Sequence, residues 1–140
     1  MMNWTGYALL SALAAAATAT LAKVGVESVS SNVATAVRTA VVLLFVLILV
    51  VVRGEHREVL TITPRSLAFL LLSGCATGLS WLAYFRALQL GPVSAVAPID
   101  KLSLPLTVAL AAIFLHEPLS WRLALGVALM VAGALLTIRA

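Results

Sequence analysis

Long apolar runs alternate with short polar clusters along the whole chain. The apolar runs cover residues 4–22, 33–52, 67–88, 93–115 and 121–138. Each run has roughly the 20 residues that a helix needs to cross about 30 Å of hydrocarbon. The polar clusters between them are short, and the one clearly solvated loop is the charged segment at residues 53–58. The pattern predicts an all-α, polytopic membrane protein with five transmembrane helices in a single domain over residues 1–140.

The composition excludes a soluble globule. Hydrophobic residues make up 63% of the chain and charged residues 10%, with a mean hydropathy of +1.14. A soluble domain carries about 25% charged residues, because its surface must be hydrated. The net charge of +4 comes from nine Lys and Arg that stand singly, mostly near the ends of the apolar runs. No basic stripe is present, so we expect the lipid bilayer and not nucleic acid as the partner.

The distribution of basic residues bears on orientation in the membrane. With five spans, the face of the N-terminus carries four of them, and the other face carries three: Arg53, Arg57, Arg65 and Arg122 on the first, and Lys23, Arg86 and Arg139 on the second. Basic loops prefer the cytoplasm, which favours a cytoplasmic N-terminus. The two faces are so nearly balanced that insertion in both orientations is also permitted.

The fourth apolar run contains an acid and a base between two prolines, Pro98 and Pro105. A charge at mid-membrane costs about 2.5–3.5 kcal/mol even on the mild insertion scale, so Asp100 and Lys101 are expected to face protein or water. Each proline removes a backbone donor and disturbs the preceding turn. On a regular helix, Asp100 and Lys101 stand about 100° apart and are poorly placed to pair.

Asp100 shares one helical face with Ser103 and Thr107, which follow at i+3 and i+7. One interpretation is that Asp100 or Lys101 contacts a substrate or ion in a pathway. The other is that the two charges form a packing pair that holds helices together or acts across a dimer.

The third run carries a weakly polar face that ends in two aromatic residues. Its members recur at helical spacing: Ser73, Thr77, Ser80, Trp81 and Tyr84. The face is a candidate pocket lining, with the rings stacking on a flat or cationic ligand. Alternatively, its hydroxyls bond across helices or to their own backbone, and the aromatic residues are ordinary interfacial anchors.

Small residues mark candidate packing faces. Gly74 and Gly78 form a GxxxG pair, and Gly126 and Gly133 give the last helix a smooth face. Such residues allow another backbone to approach closely. Thr18 belongs to a stripe of small residues on the first helix. We interpret the stripe as a packing face, and the alternative is that the first helix closes the substrate pathway.

Arg38 lies less than two turns inside the second run. Its long side chain can reach the membrane interface at modest cost. The alternative is an ion pair with Glu27 or with the region of Asp100. Lys23 is a further charged residue near these segments, and we expect it to be structural because a cation is favourable at a helix C-terminus.

Several motifs are absent from the sequence. It contains no Walker-type phosphate loop, no HExxH and no GxSxG, and Asp100 is the one acid deep inside a run. His56 and His116 lack the clustered partners that a metal site needs. The chain is therefore not expected to be an enzyme, to bind a metal or to need a cofactor.

A resemblance to a known family rests on the second half of the chain. The segment WLAYFRALQLGPVSAVAP at residues 81–98, then Leu104-Pro105, the segment FLHEP at residues 114–118, and Gly126 and Gly133 resemble the EamA domain of the drug/metabolite transporter superfamily. The segment PIDKLS at residues 98–103 looks like a branch of short, single-domain members.

The resemblance implies an exporter-like or exchanger-like fold. Typical members hold two EamA copies in one chain, related by inverted topology, whereas this chain holds one. By analogy with the small multidrug resistance proteins of the same superfamily, two chains are expected to pair, antiparallel if both orientations insert. Pairing with a separate EamA protein is the alternative.

These observations together predict a secondary transporter of small organic molecules in the inner (plasma) membrane of a bacterium or archaeon. It is expected to work by alternating access as a homodimer, with Trp81, Tyr84, Asp100, Ser103 and Thr107 in the pathway and Asp100 as a site for a coupled proton. The rival hypothesis is a membrane partner subunit of a larger assembly that does not itself transport.

Overall fold

The computed structural model describes residues 3–137 and confirms the all-α prediction. The α-helices are α1 (Trp4–Gly25), α2 (Ser31–Val52), α3 (Pro64–Leu90), α4 (Val93–Asp100), α5 (Ser103–Phe114) and α6 (Trp121–Thr137), with a 3₁₀ helix at Glu55–Thr61 between α2 and α3. Four segments are long and apolar enough to cross a membrane: α1, α2, α3 and Val93–Phe114. The shorter α6 occupies the predicted fifth span. The predicted end of that span at residue 138 and the basic Arg139 lie outside the described residues.

The polar clusters between the apolar runs supply helix caps. Side-chain oxygens accept from backbone N–H groups three residues on, and the acceptor–donor pairs are Asn3–Gly6, Ser30–Val33, Thr63–Ser66 and Ser120–Leu123, at 3.0 to 3.3 Å. Each bond satisfies one of the amides that a helix start leaves without a partner. Pro64 is the first residue of α3, where a missing N–H costs nothing. Helix α3 therefore begins three residues earlier than the apolar run predicts.

The helix predicted over residues 93–115 is interrupted, which makes two helices of it. Helix α4 ends at Asp100 and α5 begins at Ser103. At the junction, the Leu104 N–H donates to the carbonyl of Lys101 at 3.0 Å, three residues back instead of four. The cause is Pro105, which has no N–H to donate to the Lys101 carbonyl and whose ring crowds that carbonyl.

A left-handed residue follows the end of α5. His116 has a φ of 55°, and the following Glu117 N–H returns to the carbonyl of Ala111 at 3.3 Å. Pro118 comes next and cannot continue a helix. The segment FLHEP is therefore a helix stop, and the Ser120 hydroxyl caps α6.

Residue contacts divide the chain into two units. The middle unit is Ala22–Gln89. Its buried residues are Val26, Thr35, Phe85 and Leu88, so its core lies where the α1–α2 turn and the first half of α2 meet the last turns of α3. The terminal unit comprises the residues up to Leu21 and those from Leu90 onward. In it, α6 packs against α4 and α5, and Ala134 is buried.

Most large apolar side chains remain exposed. The second half of α2 is an example, because Leu44 and Phe45 are each 62% exposed and their neighbours are similar. A helix that is apolar all round and uncovered suits hydrocarbon. Apart from the backbone of its own helix, a Cβ atom added at any of the four predicted packing glycines would meet no atom within 4 Å: Gly74, Gly78, Gly126 and Gly133. A packing role for these glycines thus stays a prediction that needs a second chain.

Candidate functional site

A cation lies over an aromatic face in the middle unit. The Cζ atom of Arg38 on α2 is 4.1 Å from the ring centroid of Trp81 on α3 and 5.6 Å from that of Phe85. Arg38 and Trp81 are half-buried and Phe85 is buried. Arg38 is seven residues beyond the start of α2, which is about 10 Å along the helix at about 1.5 Å per residue. The guanidinium is therefore inside the apolar segment rather than at its end.

The stacked Arg38 changes two expectations from the sequence. The cation over Trp81 belongs to the chain itself, so the ring face predicted to receive a cationic ligand is already occupied. In residues 3–137, the ion pairs within 4 Å are Arg53–Glu55 and Asp100–Lys101, and an Arg38–Glu27 pair is not among them. The sequence does carry one signal for the contact between Arg38 and Trp81, which is the position of each residue along its helix. Arg38 and Trp81 lie 14 and 17 residues from the facing ends of α2 and α3, which predicts similar depth in an antiparallel pair.

Lys23 acts on the backbone of another helix. Its Nζ atom donates to the carbonyl oxygen of Leu88 in the last turn of α3, at 2.6 Å. Lys23 is also in the last turn of α1. Its charge thus lies near the negative ends of two helix dipoles, which stabilises it. The structural role expected for Lys23 agrees with this contact, while Glu27 is exposed in the turn that follows.

Gln89 holds the α1–α2 turn, a role that the sequence does not reveal. Its Nε2 atom donates to the carbonyl of Val29 at 2.7 Å and to that of Val26 at 3.4 Å. Its Oε1 atom accepts from Arg86 at 3.1 Å. An amide both donates and accepts, so one Gln joins the turn to the basic residue. The sequence does show Gln89 as a polar residue in the last turn of a span. It does not show the partner, because Val29 is 60 residues away in the sequence.

Asp100 and Lys101 form an ion pair in the terminal unit. The Lys101 Nζ atom is 3.1 Å from Asp100 Oδ2, and the two side chains are partly exposed. The expectation that these adjacent residues pair poorly is wrong. Lys101 is the C-cap of α4 with φ −70° and ψ −6°, so the backbone between the two residues stays helical, and the long, flexible Lys101 side chain spans the offset to reach Asp100.

The threonines of the predicted pathway bond to their own helices. Thr77 donates to the carbonyl of Ser73 at 2.9 Å, and Thr107 donates to that of Ser103 at 2.8 Å. Their hydroxyl protons are thus engaged, while each oxygen keeps lone pairs that can accept. Ser103 and Thr107 lie four residues apart on α5, whereas Asp100 belongs to α4, so the helix break interrupts the single face predicted for these three residues. Thr18 on α1 is half-buried.

The predicted site residues fall into two groups. The middle unit contains Arg38, Thr77, Trp81 and Tyr84, and the terminal unit contains Thr18, Asp100, Lys101, Ser103 and Thr107. Tyr84 is half-buried, with its ring centroid 6.5 Å from that of Phe85. The first group has a cation on an aromatic platform, and the second has an ion pair at a helix break.

Comparison with known proteins identifies the family. The model of the EamA-like transporter family matches residues 2–139. The chain belongs to this family. A protein of Sinorhizobium sp. named "Uncharacterized transporter in cobO 3'region" is 48% identical over 134 residues, which cover 96% of this chain and 95% of that protein. No solved structure matches the chain. The resemblance to the EamA domain is confirmed, and this EamA-like chain is a multi-pass membrane transporter.

Proposed function

We propose that the chain is a secondary transporter of small organic molecules in the plasma membrane of a bacterium, and that two chains form the working unit. The observation that carries the proposal is the Asp100–Lys101 ion pair at the break between α4 and α5, inside the apolar segment Val93–Phe114. Transport by alternating access requires a polar site that can face either side of the membrane.

The helix break suits such a site. Irregular backbone at membrane depth is tolerated where it is buried in protein or lines a water-filled cavity. Discontinuous helices near the midplane form the substrate and ion sites of many secondary transporters. Protonation of Asp100 would cancel its charge and release Lys101 from the pair, so the charge at the break would change with proton binding. Asp100 is therefore our candidate for the coupled proton.

Two observations support the dimer. The resemblance implies that typical EamA transporters contain two copies of the domain, and one family match spans residues 2–139 here. Four glycines suited to close helix packing face open space within the chain. A second copy, antiparallel or parallel, or another EamA protein would supply a second EamA domain and a packing partner for these glycines.

Uptake into proteoliposomes tests the proposal. A panel of radiolabelled organic anions, cations and zwitterions is offered with and without an imposed pH gradient. We expect gradient-driven uptake of at least one class, lost in Asp100→Asn and retained in Glu117→Gln, which removes an exposed acid outside the helices. Unchanged coupled uptake in Asp100→Asn would remove Asp100 from the coupling role, and absence of uptake across the panel would contradict the proposal.

A membrane partner subunit is the second candidate, and the same open glycine faces favour it. Native mass spectrometry of the chain released from nanodiscs separates the two hypotheses. A dimer that transports when reconstituted alone supports the transporter. A monomer that is stable solely in a complex with a larger membrane protein supports the partner subunit.

A further inference from the structure

We propose that Arg38 binds the anionic group of the transported molecule, so that the substrate is an organic anion carrying a carboxylate, phosphate or sulfonate. This inference rests on the proposed transport function and names its substrate class. It starts from the position of Arg38, whose guanidinium stacks on Trp81 at 4.1 Å inside an apolar segment.

The helices around Arg38 provide no counter-charge. Helices α2 and α3 contain Arg38, Arg65 and Arg86 and no Asp or Glu. Asp100 is the single acid in the six α-helices as described, and Lys101 pairs with it at 3.1 Å. An uncompensated cation at membrane depth is costly and is a functional-site hypothesis by default. The positive charge of Arg38 is therefore neutralised by an anion that is not part of the chain.

The stacked geometry leaves the guanidinium able to bind. The face of an aromatic ring attracts a cation. A guanidinium that lies flat over that face keeps its five N–H donors available. Across residues 3–137, Arg38 makes two ring contacts and interacts electrostatically with Tyr84, and it has no hydrogen bond and no ion pair. The N–H donors lie in the plane of the group as a fork, which matches two oxygens of a carboxylate, phosphate or sulfonate. The ring contacts thus hold the guanidinium carbon over Trp81, and the N–H donors that no described residue of the chain uses select the ligand.

Trp81 itself reports binding. Trp4 and Trp121 are 82% and 80% exposed, and replacing both with Phe leaves Trp81 as the single tryptophan. This variant is titrated in a non-ionic, phosphate-free detergent with benzenesulfonate, and its indole emission is followed. Two probes of similar size provide the comparison: the neutral benzenesulfonamide and the cationic phenyltrimethylammonium.

We expect a saturable change of emission with benzenesulfonate and none with the other two probes. Arg38→Gln should weaken the response by about tenfold or more, and Arg38→Lys should weaken it by less, since it keeps the charge and loses the fork. Arg57→Gln is the matched control, because it removes one positive charge from an exposed position. The inference is overturned if benzenesulfonate gives no saturable response, if the neutral or cationic probe gives an equal one, or if Arg38→Gln responds normally.

A lipid phosphate has the same chemistry as a soluble anion, so a second arm separates them. Phosphatidylglycerol is added to the detergent sample before the titration. If it does not reduce benzenesulfonate binding, the site takes soluble anions. If phosphatidylglycerol alone saturates the Trp81 signal and abolishes the response to benzenesulfonate, Arg38 holds a lipid headgroup and the inference is overturned.

Failure of this inference is distinguishable from failure of the transport proposal. Uptake of organic cations with no anion response at Trp81 would retain the transporter and overturn the anion site. Anion binding at Arg38 with no uptake of any probe would retain the site and overturn the transporter.

Discussion

Lys23 and Leu88 are 65 positions apart in the sequence, yet the Lys23 Nζ atom donates to the Leu88 carbonyl at 2.6 Å. Leu88 is fully buried, at 0% exposure. The bond joins the last turn of α1 to the last turn of α3 and covers a carbonyl that the helix end leaves without an intrahelical partner. A charged donor makes such a bond stronger than a neutral one.

Loss of the Lys23 amine should destabilise the middle unit. Lys23→Met keeps the length of the apolar stem and removes the donor, so we expect the free energy of unfolding to fall by about 1–3 kcal/mol. Unfolding by titration with a denaturing detergent in mixed micelles measures the change. The exposed Arg57→Gln serves as the control, with a change near zero, and an equal loss in both variants would contradict a specific role for the bond.

Gln89 should order the turn between α1 and α2. Gln89→Glu keeps an acceptor for Arg86 but cannot donate to the carbonyls of Val26 and Val29. We expect faster amide hydrogen exchange in residues 26–30 in Gln89→Glu and also in Gln89→Ala. If Gln89→Glu exchanged like the wild type and Gln89→Ala did not, the contact with Arg86 rather than the two carbonyl bonds would order the turn.

The stacking of Arg38 on Trp81 should appear as a coupling energy. In a double-mutant cycle of Arg38→Met and Trp81→Leu, the stabilities should be non-additive by about 0.5–2 kcal/mol, because a partly desolvated cation–π pair is worth that much. The parallel cycle with Trp121→Leu is the control, since Trp121 is 80% exposed and the ring contacts found for Arg38 are with Trp81 and Phe85. Additive effects in the first cycle would show that the pair contributes nothing to stability.

The break between α4 and α5 should be needed for transport and not for folding. Pro105→Ala restores an N–H that can donate to the Lys101 carbonyl, so we expect the two helices to join. Stability should be unchanged or rise by up to about 1 kcal/mol, while uptake falls severalfold. Pro64→Ala, at the first residue of α3, should leave uptake intact. Normal uptake by a Pro105→Ala protein whose helix is continuous by hydrogen exchange would contradict this prediction.

The helical segments and one charged cluster were predictable from the sequence. An apolar run of about 20 residues is stable across a bilayer as an α-helix, because the helix satisfies its own backbone hydrogen bonds. The helices can therefore be predicted before their packing is known. The unusual position of Asp100 and Lys101 was also visible, because charges are rare inside such runs. Their pairing was missed because the rotation of about 100° between adjacent helical positions does not limit the reach of a flexible Lys side chain.

The contacts of Arg38 and Gln89 could not be predicted from local pattern. Each depends on the register of two helices far apart in the sequence, and residue spacing along one helix carries no information about its rotation against another. The position of Arg38 along α2 limits its possible partners on α3 to residues near Trp81. It does not choose between an aromatic ring and a hydroxyl such as that of Thr77 on the same helix.

The claim that two chains form one transporter is tested most directly by mixing. Wild-type and Asp100→Asn chains with different tags are co-reconstituted at a series of ratios, and gradient-driven uptake is measured at constant total protein. If both chains of a dimer contribute to one pathway, uptake should fall as the square of the wild-type fraction. Uptake that falls in direct proportion to the wild-type fraction would show that each chain transports alone and would contradict the account.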